Sequence, residues 1–123
     1  MPILTVEIVL RERETLAPGL ARSLAVKAGE VFESSPGRTW VRLSALPAQQ
    51  YAEDGEFTAG AVAPVFVTVV KALVPDPETM QREAARLAEE FAPLCGRPAE
   101  NIHITYEPPA LGRIAFGGKL LSG

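Results

Sequence analysis

The chain has 123 residues, 47% of them hydrophobic and 22% charged, with a net charge of −3 and a single cysteine. This is an ordinary globular composition, long enough for one domain that buries about two-thirds of its unfolded surface. The weak, scattered charge argues against a nucleic-acid or membrane-surface partner, and the lone Cys95 against an internal disulfide or a multi-cysteine metal site.

The N-terminal stretch has no basic region, long apolar run and small-residue cleavage site, so a cytoplasmic location is expected. No apolar run approaches the roughly 18 residues that a membrane span needs. Strand character begins at once: Pro2 to Leu10 contains Ile3, Leu4, Val6, Ile8, Val9 and Leu10. Proline is tolerated at the first residue of a strand because no ladder donor is needed there. A helical pattern follows, with Leu16, Leu20, Leu24, Ala28 and Val31 or Phe32 at three- and four-residue spacing. Thr15 is the expected N-cap, Pro18 falls in the first turn, and Ser34-Ser35-Pro36-Gly37 ends the helix. From Arg38 to Leu46 the chain alternates, with Thr39, Val41, Leu43 and Ala45 on one face and Trp40, Arg42 and Ser44 on the other. Pro47 stops it.

The second half follows the same plan. Pro64 to Val70 reads as a strand, and Asp76-Pro77 as an N-cap followed by proline at the first helical position. Met80, Ala84, Leu87, Ala88, Phe91 and Leu94 form an apolar stripe, which Gly96 and Pro98 close. Asn101 to Glu107 is a strand with Ile102, Ile104 and Tyr106 opposite His103, Thr105 and Glu107.

A constant offset of 62 links the halves: Pro2, Pro47, Ala48 and Gly55 recur as Pro64, Pro109, Ala110 and Gly117. Together with the repeated pattern this predicts a single domain over 1–123 built from pseudo-repeats 2–58 and 64–118. The predicted fold is α/β: two fused β-α-β units giving a four-stranded sheet with both helices on one face. The opposite face is left bare and carries Trp40, Arg42, Ser44, His103 and Thr105. Such a mixed face either packs against copies of the chain or stays in solvent.

Met-Pro opening a strand, two β-α-β units and a Pro/Gly-rich C-terminal segment together resemble the tautomerase superfamily. The resemblance is to its longer members, such as macrophage migration inhibitory factor and carboxymethyl-hydroxymuconate isomerase. It implies a trimer-forming fold with pockets at subunit boundaries, and removal of Met1 to free the Pro2 nitrogen as the catalytic group. Carried over along Glu100 to Tyr106, the resemblance puts His103 and Thr105 at pocket positions. Continuing without a gap it adds Ile114 and Phe116, and in the second strand Trp40. Tyr51 to Gly55 and Val70-Lys71 resemble segments of the muconate isomerase.

The chemistry this implies needs no cofactor. A free N-terminal proline is a secondary amine; an α-amino group ordinarily titrates near 7.7–8.0, and an apolar setting lowers that value. A base poised near neutrality suits proton transfer at a carbon next to a carbonyl. The enolate needs donors aimed at its oxygen, for which His103, Thr105 and the Trp40 ring nitrogen are candidates. Arg38 and Arg42, with Lys71 and Arg113 behind them, are candidates for gripping a substrate carboxylate. Each has a plainer alternative: His103 as a hydrogen-bonded structural residue, Trp40 as an interface anchor, and Arg42 and Lys71 as solvated charges. Cys95 reads as a packed thiol, Met80 as core, and Glu53 and Asp54 as solvent-facing loop residues.

The sequence therefore predicts a tautomerase or isomerase acting on a small enolisable keto acid. No metal or nucleotide signature is present: there is no Gly-rich phosphate loop, and His103 is the only histidine. Two alternatives stand beside it. One is a proline-dependent hydratase or dehalogenase of unsaturated acids, although its water-activating carboxylate aligns with Ala115 here. The other is a non-catalytic ferredoxin-like module or binding scaffold, which has no need of a free proline amine.

Overall fold

The computed structural model describes residues 2–55 and 62–123. Met1 and positions 56–58, the end of the first expected repeat, lie outside the described residues. The elements run β1 (Ile3–Val9), α1 (Leu20–Phe32), β2 (Trp40–Leu46), β3 (Val65–Val70), α2 (Pro77–Cys95), β4 (Ile102–Tyr106), β5 (Ala115–Phe116) and β6 (Lys119–Leu120). Single 3-10 turns over Ala48–Gln50 and Ala99–Asn101 follow β2 and precede β4.

The four long strands form one sheet in the order β2-β1-β3-β4. β1 and β2 are parallel, β3 and β4 are parallel, and β1 and β3 run antiparallel at the centre. Ile3 pairs with Trp40 and Val65 with Ile102, so both parallel pairings carry the same offset of 37 (40 − 3 and 102 − 65). Each half is thus a strand-helix-strand unit, as expected. The alternation written in the strands decides which face is covered. Leu4, Val6, Ile8, Val65, Val67, Val69 and Ile102 are buried against Leu20, Leu24, Ala28 and Val31 of α1 and Leu87, Phe91 and Cys95 of α2. On the other face Thr5, Trp40, Arg42, Ser44, Phe66, His103 and Thr105 are exposed.

The first helix starts later than Thr15. Gly19 occupies the left-handed region (φ 80°) as its N-cap without any side-chain cap bond, and the Leu20 N–H closes a turn onto the Ala17 carbonyl. Pro18 lies in that turn, and Leu16 packs against the core from the loop, so its helical spacing reflects burial alone. The second helix begins where its signals placed it: the Asp76 carboxylate accepts from the Thr79 N–H at 2.8 Å, Pro77 is the first helical residue, and left-handed Gly96 closes the end. Cys95 is packed in the core, and burial pushes its thiol up to about 11. Met80 is half-buried.

One buried charge organises the far end of the sheet. Arg97 is 4% exposed, and its guanidinium donates to the carbonyls of Ala63 (2.6 Å), Val9 (2.9 Å) and Cys95 (3.0 Å) and to both Glu14 carboxylate oxygens (2.6 and 2.9 Å). The Arg11 N–H also donates to Glu14. Hydrogen bonding from Arg97 holds the Glu14 carboxyl below its usual range. A group lowered in the folded state stabilises it above the unfolded carboxylate value, about 4.3, and loses that contribution as pH falls through the folded value. Removing one partner of a buried ion pair costs about 3–5 kcal/mol. We therefore expect Arg97→Met to lose about that much in urea unfolding at pH 7. We also expect Glu14→Gln to show a shallower loss of stability than wild type below pH ~4.3. Asp76, lowered by the Thr79 N–H, leaves the variant part of the slope. Parallel pH profiles for wild type and Glu14→Gln would refute the role given to Glu14.

Candidate active site

A cavity of about 340 Å³ opens where β1 and β2 begin, lined by Ile3, Gly37, Arg38, Trp40, Phe116 and Leu121. Its floor comes from the sheet: Ile3 and Trp40 are register partners on the uncovered face. The Trp40 backbone N–H donates to the Pro2 carbonyl at 3.0 Å, which fixes buried Pro2 at this end of the sheet. One wall is the turn from Ser35 to Arg38, closed by the Arg38 N–H on the Ser35 carbonyl (3.1 Å) with Gly37 at φ 79°. This turn presents Arg38, the one charged lining residue among the described residues.

The other wall is a hairpin. β5 and β6 are joined by Gly117 and Gly118 with φ 57° and 85°, the paired left-handed residues of a type I′ turn. The strap leading into it is tied to the end of β3, through the Ala110 N–H on the Lys71 carbonyl and the Leu111 N–H on the Ala72 carbonyl (2.9 and 3.1 Å). Because Val70 pairs with Ile3, that anchorage delivers the hairpin to the Pro2 end of the sheet. Phe116 then meets Trp40 edge to face, ring centroids 5.5 Å apart at 86°.

No protein-family model matches the chain, and no curated protein matches it. Solved structures do match. The protein Pt0534, in its form inactivated by 2-oxo-3-pentynoate, gives a TM-score of 0.75 at 15% identity over 96% of this chain and 94% of that one. A macrophage migration inhibitory factor from Oncomelania hupensis gives 0.73 at 20% identity, over 98% of this chain and 81% of that one. A fused 4-OT solved as an asymmetric trimer gives 0.73 at 18% identity over 94% of both.

The chain has the fold of the tautomerase superfamily. Within this tautomerase fold the anticipated residues are not all brought together. Arg38, Trp40 and Phe116 line the cavity, with Pro2 bonded to Trp40 beside it. Ile114 is half-buried in the strap, accepting from the Leu121 N–H, outside the lining. Arg42 and Thr105 lie on the exposed face in the row of Thr5 and Thr68, two residues along from Ile3, roughly 7 Å at ~3.3 Å per residue. His103 lies two residues further, in the row of Glu7 and Phe66, its ring 5.7 Å from that of Phe66. Tyr51 extends this aromatic row; its hydroxyl donates to the Glu53 carboxylate, which pushes the phenol up to about 12.

Two anticipated roles are corrected. The Trp40 indole N–H does not point at a substrate oxygen; it donates to the Gly37 carbonyl at 3.0 Å. Lys71 is neither solvated nor a carboxylate grip, because its Nζ pairs with Glu83 at 3.1 Å and lies 4.9 Å from the Phe32 ring centroid. Tyr106 donates to the same carboxylate, and its burial, then that bond, hold the phenol well above its usual range. Ile3, Gly37 and Leu121 were not anticipated in the lining. Strand alternation places Ile3 with Trp40, and the Gly-Gly turn that returns Leu121 was the available signal for the third.

A side chain in the left-handed region costs roughly 1–2 kcal/mol. Gly118→Ala is therefore expected to loosen the hairpin and uncover Trp40, the only tryptophan. Its fluorescence should shift to the red at a temperature where the sheet is intact by circular dichroism. An unshifted spectrum means that the hairpin does not cover Trp40.

Proposed function

We propose that this chain is a cofactor-independent tautomerase that moves a proton on a small enolisable 2-oxo acid, with the Pro2 amine as base and acid. The observation that carries the reading is buried Pro2, held by Trp40 at the edge of a largely apolar cavity whose one charged lining residue, among the described residues, is Arg38. Removal of Met1 converts the Pro2 nitrogen from an amide into a secondary amine. Burial then favours its neutral form near pH 7. The amine takes the proton from the carbon beside the carbonyl, the C–H electron pair moves into the enolate, and the proton returns to oxygen; the reverse path regenerates the ketone. Arg38 holds the substrate carboxylate as a forked donor.

The chain works in this reading as a homotrimer, as the fused 4-OT structure does. The uncovered sheet face is the contact surface, and His103, Thr105 and Arg42, exposed on it, face the neighbouring copy. With the Trp40 indole occupied, donors for the enolate oxygen come from Arg38 or across that boundary. The equal offset of 37 in the two parallel pairings supports reading the domain as a repeated unit, 2–58 and 64–118. No carboxylate lines the cavity among the described residues, which favours tautomerisation over hydration, where an acid must activate water.

The test joins an intact mass with kinetics. The mass of untagged protein should lack one methionine, and phenylpyruvate should be tautomerised. Pro2→Ala should lower kcat/KM about 10²-fold or more, with the melting temperature within a few degrees of wild type. Full activity in Pro2→Ala would rule out a need for the proline ring, and full activity in protein that retains Met1 would rule out the amine as the base.

A further inference from the structure

The Ser35–Arg38 turn has open space on both sides. In front is the 340 Å³ cavity; behind it a groove of about 780 Å³ runs along α1, and Gly37 borders both. A Cβ built on Gly37 would meet no atom within 4 Å. The turn is therefore positioned by hydrogen bonds rather than by packing. The Arg38 N–H closes it, the Ser34 and Thr39 hydroxyls join its two stems, and the Trp40 indole N–H reaches back to its Gly37 carbonyl. Trp40 is itself 51% exposed, and its ring is held from the far side by Phe116.

We propose that Trp40 is a positioning residue: its indole N–H, bonded to the Gly37 carbonyl, holds the turn so that the Arg38 guanidinium faces the cavity and grips a carboxylate. The inference rests on the reading of Arg38 as the carboxylate grip. Ordering a long side chain on binding costs conformational entropy, so a turn fixed beforehand spares part of that cost. Without the indole bond the turn moves into the space on either side, and Arg38 must be ordered by the ligand itself. A purely structural Trp40 would instead affect acids and neutral ligands alike.

The experiment is an NMR titration of the full chain with phenylacetate and with phenylacetamide, which share a ring and differ in charge. Wild type should bind the acid about tenfold more tightly than the amide. In Trp40→Phe the acid preference, read as the ratio of the two affinities so that a change in the cavity floor common to both ligands cancels, should fall to about threefold or less. Arg38→Gln should lose the same preference, and the double variant should lose no more than either alone. Because Trp40 is the only tryptophan, biosynthetic replacement by benzothienylalanine removes the N–H and keeps the bicyclic ring. That form carries the test if Trp40→Phe fails to give a dispersed spectrum. An undiminished preference in these variants, an equal loss for acid and amide, or no preference in wild type overturns the proposal. Phenylpyruvate turnover, measured separately, distinguishes the two readings. If turnover is absent while the Trp40-dependent preference persists, the tautomerase reading falls and the positioning role stands.

Discussion

The buried Arg97 guanidinium is the constraint on which the far end of the molecule depends. Inside a protein a charge is tolerated only when it is paired and its donors are satisfied. Here its partners come from the end of β1, Ala63 two residues before β3, the end of α2 and the Glu14 loop. The stretch from Val9 to Glu14, Ala63 and the end of α2 are thereby joined by one side chain. Its charge also sits at the C-terminal end of α2, where the helix dipole favours a cation. Ala63, whose φ of 41° is costly for a residue with a Cβ, accepts the Arg97 Nε–H at its carbonyl oxygen.

The opposite end is built on another principle. There the sheet offers Ile3 and Trp40 as an exposed floor, and the walls are a four-residue turn and a two-stranded hairpin held by a few backbone bonds. A hairpin of this size has little stability of its own. Its edge-to-face contact with Trp40 matters for that reason. Such lightly held segments, borne on a rigid scaffold, are where binding sites are commonly found.

What the sequence made legible was periodic. Strand alternation named the covered and uncovered faces of β2 and β4, and Asp76-Pro77 with Gly96 bounded the second helix, because these signals are local. The first helix was misjudged at its start because Leu16 keeps helical spacing while packing from a loop. Partnerships across long sequence distance left no local mark: Arg97 with Glu14, Lys71 with Glu83, and the strap with the end of β3. The indole of Trp40 was open to two uses, and only the backbone of the preceding turn decides between them. Of the site, the aligned positions Trp40 and Phe116 and the neighbouring Arg38 converge on one cavity. His103 and Thr105 lie rows away within the same subunit, a separation that a strand's own pattern does not reveal.

The two ends also show how one plan, used twice, yields different products. The connection from α1 to β2 carries Arg38, and the connection from α2 to β4 carries Arg97; β1 and β3 are antiparallel, so these connections lie at opposite ends of the sheet. One arginine is exposed beside a cavity, and the other is buried among carbonyls and a carboxylate. At the 62-residue offset, Arg38 and Trp40 correspond to Glu100 and Ile102, so the second end lacks both the cation and the aromatic ring. Pro64, the counterpart of Pro2, is an internal residue whose nitrogen is an amide. Among the described residues, the first end brings a strand-opening proline, an aromatic wall and an exposed cation together. The second is free to supply the buried node that keeps the sheet rigid beneath them.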